Sequence, residues 1–307
     1  MDFTDHILFV PMFFLAIYLW LESQDFGVAI AAPMVARNEA ERKAALNLLK
    51  PGLDGNEAWV FLCAGMTGAL FSDGRFNIPE NTFLPLGIIL VGMIVRLAAA
   101  FSGNVFQQSL LLRGIRFITI INVISASILA LELVNRDFFT TESILGLIWL
   151  LMSCIQIGAI YGACKTVNPL GERFRATFLV TNILSLILFI VAFGAWYVLG
   201  GPEEMSAAGI LLAGFSFVVI ISAVSFFAVR ARHVYAGMLL AYMAQWGAMC
   251  IYIVTMIAGI PSMAPNTVVV KGDMGEWIIG FAAVWTGIVF IWRICRHKVK
   301  YIWEDHI

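Results

Sequence analysis

Apolar residues run along this chain in nine stretches, each long enough to cross a bilayer and separated from the next by a short polar connection. A helical span needs roughly 20 mainly apolar residues. The stretches fall near 6–35, 56–72, 80–101, 115–134, 142–164, 174–199, 207–229, 234–260 and 275–295. They predict an all-α polytopic membrane protein with nine transmembrane helices, a single transmembrane domain over 1–307 with no room for a soluble one. The first stretch reads as a retained helix and not a cleaved signal, because Asp2 and Asp5 stand where a signal carries basic residues and the apolar run continues past Glu22. Between Arg37 and Gly52 charges alternate with Ala40, Ala44, Leu48 and Leu49, which predicts a short interfacial helix. The connection from Pro261 to Lys271 is predicted irregular. No segment repeats, which argues against a solenoid or an array.

Composition strengthens this picture: 61% of the 307 residues are hydrophobic, 13% are charged and the mean hydropathy is +0.90. Net charge is −1, so nothing points to a nucleic-acid partner. Lysine and arginine set the orientation. Fifteen fall on one side of the predicted topology, against Arg75, Arg136 and Lys271 on the other. The positive-inside rule then puts the N-terminus outside and the C-terminus in the cytoplasm. Cys63, Cys154, Cys164, Cys250 and Cys295 lie in or at the ends of spans with no CxxC spacing, and read as small packing residues. Of His6, His233, His297 and His306, only His6 is placed where an axial haem ligand is arguable, and an interfacial histidine is the simpler reading.

The charges inside the spans are the candidate chemistry. Glu22, Asp25, Asp54, Glu57 and Arg96 lie in or at the edge of the first three spans, all toward the inner face. An ionised side chain at bilayer depth costs roughly 2.5–3.5 kcal/mol even on the mild insertion scale, so it persists where it is paired, hydrated or used. Glu22 and Asp25 are three residues apart and share a helix face near mid-membrane, while Asp54 and Glu57 sit at the inner start of the second helix. Together with Arg96 they predict a ladder from the cytoplasm to mid-bilayer, whose carboxylates can relay protons once burial raises their pKa. Asp25 is the favoured partner for Arg96. Under the plainer alternative, Arg96 only neutralises a buried acid, and Asp54-Gly55-Asn56 is a turn and cap.

These blocks resemble a known family. Glu22-Ser-Gln-Asp25-Phe-Gly27, Arg37-Asn-Glu-Ala-Glu41-Arg42, Asp54-Gly55-Asn56-Glu57-Ala58-Trp59 and Arg96 resemble, in order and spacing, subunit II of the cytochrome bd-type quinol oxidases. Against the family pattern DGFDxG, Asp25 and Gly27 match and Glu22 replaces an aspartate. Against WDGNQVW, Asp54, Gly55, Asn56 and Trp59 match, while Leu53 replaces a tryptophan and Glu57 a glutamine. The departures mark a divergent member.

The resemblance implies two four-helix bundles plus one peripheral helix in a bacterial or archaeal-type cell membrane. It implies a non-haem-bearing chain beside a haem-bearing subunit I, with haems b and d on that partner, quinol and O2 as substrates of the complex, and no catalytic residue, cofactor or metal on this chain. Asp54 would line a proton route. Small single-span subunits, and a structural quinone or lipid in a groove, are left open. The competing class is a proton-coupled secondary transporter, in which Glu22, Asp25 and Arg96 would serve a midplane solute site. It predicts inverted repeats and broken helices, and the sequence shows neither.

Overall fold

The computed structural model describes residues 9–49, 56–71, 82–101, 108–133, 139–167, 169–200 and 205–257. Within them the chain is helical throughout: α1 (Phe9–Val35), α2 (Glu39–Leu49), α3 (Glu57–Phe71), α4 (Phe83–Phe101), α5 (Gln108–Leu133), α6 (Thr141–Lys165), α7 (Leu170–Gly200), α8 (Met205–Arg230) and α9 (Val234–Ile257). Six of these helices, α1 and α5 to α9, are long and apolar enough to cross a membrane, and α3 and α4 carry shorter apolar segments. Eight of the nine predicted spans are thus among the described helices; the stretch at 275–295 lies outside the described residues. Boundaries moved where hydropathy and hydrogen bonding part company. Helix α5 starts at Gln108, ahead of Arg113 and Arg116, and α7 starts at Leu170, ahead of Glu172 and Arg173. A charged turn ends an apolar run without ending a helix.

Helix α1 is the shaft of the fold. It packs against α3, α5, α6 and α9, and its residues are buried almost throughout. Its closest neighbour is α6. A Cβ on Gly27 would lie 1.8 Å from the Cys154 carbonyl oxygen, and one on Gly158 would lie 2.1 Å from the Gly27 carbonyl carbon. Two glycines therefore face each other and let the backbones touch, the small-residue approach used between membrane helices. The contact fixes how α1 is turned about its own axis. Ser23 and Gln24 consequently meet α9: the Ser23 hydroxyl donates to Gln245 Oε1 at 3.0 Å, the Gln245 amide donates to Ser153 Oγ at 3.2 Å, and Tyr242 OH donates to Gln24 Oε1 at 2.8 Å. Trp20 Nε1 donates to the Tyr242 carbonyl at 3.0 Å.

Helix α2 forms where the sequence predicts a short helix, but it is more deeply packed than an interfacial one. Glu41, Ala44, Ala45, Leu46, Leu48 and Leu49 are buried, and the helix touches α1, α4, α5 and α6. Its start is tied twice. Asn38 Oδ1 caps the helix by accepting from Glu41 N at 2.8 Å, and Glu41 Oε2 reaches back to accept from Arg37 N at 2.6 Å. Glu41 also forms an ion pair with Arg173 at the start of α7. Burial pushes the Glu41 carboxyl up, but the Arg37 N–H and the Arg173 guanidinium pull it down by more, so it lies below 4.5. A carboxyl held below its unfolded value stabilises the fold at neutral pH, and that contribution is lost as pH falls below 4.5 through the folded value. Glu41→Gln is therefore expected to lower the melting temperature at pH 7 and to narrow the gap between wild type and variant at pH 4. Thermal unfolding of the purified protein at both pH values checks this, and a gap that stays constant would contradict it.

Candidate functional site

Turned by its contact with α6, α1 presents Glu22 and Phe26, one helical turn apart, to α3 and α4. Glu22 is 1% exposed and Arg96 is 6% exposed. Arg96 Nη2 forms an ion pair with Glu22 Oε1, and its guanidinium carbon lies 4.9 Å from the centre of the Phe26 ring. The cation is thus held between a carboxylate and an aromatic face, both offered by α1. The other Glu22 oxygen, Oε2, accepts from Asn56 Nδ2 at 3.1 Å, and Asn56 is fully buried just before α3. Trp59, one turn on, stacks against Phe14 of α1 with ring centres 5.8 Å apart, anchoring the start of α3 to α1.

The structure changes the predicted arrangement in two respects. The sequence favours Asp25 as the partner of Arg96, yet the carboxylate bonded to Arg96 Nη2 is Glu22. Asp25 is itself buried, at 5% exposure, on the same helix. The predicted ladder also contracts. Glu22 lies thirteen residues before the end of α1 at Val35, about 20 Å along the axis, whereas the sequence puts Asn56 at the inner entrance. Their hydrogen bond places both at one level, so α3 begins beside Glu22. Asp54 lies outside the described residues. Glu57 is the first residue of α3.

Sequence reasoning missed Asn56 and Phe26 as members of the cluster. Phe26 is readable as the residue four after Glu22, where a cation paired with that glutamate can reach it. Asn56 is readable only as a motif position. Among the described residues no group of three or more His, Cys, Asp and Glu side chains is placed to hold a metal ion; His6, His297 and His306 lie outside them. A separate groove of about 610 Å³ opens between α6, α7 and α9, walled by Trp149, Phe189, Phe193, Trp196 and Tyr252 with Glu142 at its rim.

An ion pair buried among apolar helices, completed by a neutral amide just ahead of a third helix, defines a polytopic membrane protein that keeps charge inside the bilayer. The particular kind follows from comparison with known proteins. The profile of the cytochrome bd terminal oxidase subunit II family matches residues 4–294, and the chain belongs to that family. It is 27% identical over 208 residues to cytochrome bd ubiquinol oxidase subunit 2 of Bacillus subtilis (strain 168), covering 62% of this chain and 59% of the relative. It is 24% identical over 198 residues to cytochrome bd-I ubiquinol oxidase subunit 2 of Escherichia coli (strain K12), covering 57% of this chain and 52% of that one. These matches span little more than half the length of the curated relatives. A chain in the solved structure of bd oxidase from Geobacillus thermodenitrificans superposes with a TM-score of 0.71 at 14% identity, covering 95% of this chain and 96% of that one. The fold is shared across almost the whole length.

Proposed function

We propose that this chain is the non-haem-bearing subunit of a cytochrome bd-type quinol:O2 oxidoreductase in the bacterial cell membrane, and that it contributes a cytoplasmic proton path to a haem-bearing partner. Family membership supports the place in the complex. The observation that carries the path is the buried Glu22–Arg96 pair joined by Asn56, which ties the intramembrane carboxylate to the Asp54-Gly55-Asn56 block. Asp54 and Glu57, at the start of α3, would collect protons; Glu22 and Asp25 would receive them; Arg96 would keep one carboxylate ionised. The two-bundle arrangement is carried over from the family resemblance; α1, packed on α3, α5, α6 and α9, would lie where the two bundles meet. The aromatic groove between α6, α7 and α9 has the shape and lining for a lipid or quinone tail. The continuity of α1 through Glu22 and Asp25 speaks against the transporter reading, which calls for a helix broken at the site.

The test is the double variant Asp54→Asn with Glu57→Gln in the assembled oxidase. O2 consumption is expected to fall by roughly 10²-fold, the lower end of what a lost acid–base group costs, while haem content and haem reduction by quinol stay intact. Stopped-flow kinetics of the proton-coupled steps of oxygen reduction would show it. Unchanged rates in the assembled variant would mean that protons enter elsewhere.

A further inference from the structure

Helices α4 and α5 meet at a second polar point, which the ion pair does not use. Gly92 lies one turn from Arg96 on the same face of α4, and a Cβ there would fall 2.0 Å from Asn122 Oδ1. Asn122 is 1% exposed, and Thr119, one turn before it on the same face of α5, is fully buried. Neither Nδ2 nor Oδ1 of Asn122 reaches a hydrogen-bond partner in the protein, and neither does Thr119 Oγ1. This departs from the habit of the other hydroxyls in these helices. Thr67, Ser127, Thr177 and Thr181 each donate to the carbonyl four residues back. Thr119 Oγ1 makes no such bond. Closer to the ion pair, Asn56 Oδ1 and Trp59 Nε1 are likewise buried without a protein partner.

Buried polar groups are almost always satisfied, by protein or by ordered water. An amide donor, an amide acceptor and a hydroxyl on adjacent turns supply the two to four partners that a buried water needs. Because α4 and α5 are consecutive packed helices, the step from Arg96 to Gly92 on one runs beside the step from Thr119 to Asn122 on the other. We propose that Asn122 and Thr119 bind water that extends the Glu22, Arg96 and Asn56 cluster along the α4–α5 seam, and that this water carries the proton onward from Glu22. Each water accepts a proton on an oxygen lone pair and releases another from the same oxygen, so charge moves with no net bond change and no redox partner. Asn122 is a positioning residue in this scheme. The inference rests on the proton-path reading above.

The experiment uses the assembled oxidase with Asn122→Leu, which keeps the branching at Cγ and removes both polar atoms, and Asn122→Ser, which leaves a hydroxyl and room for water. Asn122→Leu is expected to slow O2 consumption by roughly tenfold, less than loss of a direct acid–base group. The rate ratio between H2O and D2O should rise, with haem content and haem reduction by quinol unchanged, and Asn122→Ser should recover most of the rate. An assembled Asn122→Leu variant with wild-type rate and isotope ratio overturns the inference. If the Asp54 and Glu57 double variant is slow in the same assay, the proton path itself survives; if that variant is fast too, both fail. Should Asn122→Leu not assemble, an experimental map of the wild-type oxidase decides. Ordered water within hydrogen-bond reach of the Asn122 amide supports the site, and a dry Asn122 overturns it.

Discussion

Arg96→Leu is expected to destabilise the protein by about 3–5 kcal/mol, the cost of leaving one member of a buried ion pair without its counter-charge. The size follows from the geometry. Glu22 is almost fully buried, one oxygen meets Arg96 and the other meets the neutral amide of Asn56, so Asn56 cannot replace the lost charge. The variant should give little assembled oxidase, measured as haem-containing complex per unit of membrane protein. Adding Glu22→Leu should restore much of that yield, because a buried pair replaced on both sides by apolar residues is often neutral in stability. If the proposed proton path runs through Glu22, oxygen reduction should nevertheless remain slow in the double variant. A double variant that assembles no better than Arg96→Leu alone would show that the two side chains are not coupled.

The second large effect is expected at Gly27. In Gly27→Ala the new methyl would lie 1.8 Å from the Cys154 carbonyl oxygen, a backbone atom that no rotamer change can move aside. Helices α1 and α6 would have to separate, losing the packing between them and rotating Glu22 away from Arg96. Overpacking typically costs 1–3 kcal/mol and occasionally more; a backbone-to-backbone clash belongs at or above the top of that range. Gly65→Ala is the matched control, since Gly65 lies inside α3 and a Cβ there meets nothing within 4 Å. It should be neutral or slightly stabilising, because alanine is the better helix former by about 0.5–1 kcal/mol. Thermal unfolding and assembly yield of the two variants provide the comparison. Equal tolerance of both substitutions would remove the glycine contact as the element that sets the rotation of α1.

The contrast between those two glycines explains what was legible in the sequence. Span positions were legible because burial in lipid demands long apolar runs, and the described helices follow them closely. Glu22, Asp25 and Arg96 were legible as buried charges because each interrupts such a run, whereas the burial of Glu41 and Lys165 was not. Their pairing was not. Whether Glu22 or Asp25 meets Arg96 depends on the rotation of α1, and that is fixed by Gly27 against Gly158, residues separated by most of the first half of the chain. Asn56 escaped notice as a ligand of Glu22 because counting rise per residue along α1 takes no account of a connecting segment that turns back into the protein. The hydropathy of α2 disguised its burial: Glu39, Arg42 and Lys43 lower its average, while the opposite face packs Glu41, Ala44 and Leu48.

The bonds from α1 to α9 also set an order of events during synthesis. Trp20 and Ser23 are joined to Tyr242 and Gln245 across 222 residues, which at 5–20 residues per second takes roughly 10–45 s to translate. Through that interval α1 resides in the membrane with Ser23, Gln24 and Glu22 awaiting their neighbours, and its mean hydropathy of 1.3 is the lowest of the six long spans. Helix α1, made long before α9, thus completes its polar contacts only after α9 has arrived. Glu22 meets Asn56 and Arg96 well before that, and the amide and hydroxyl face of α1 closes only when α9 arrives.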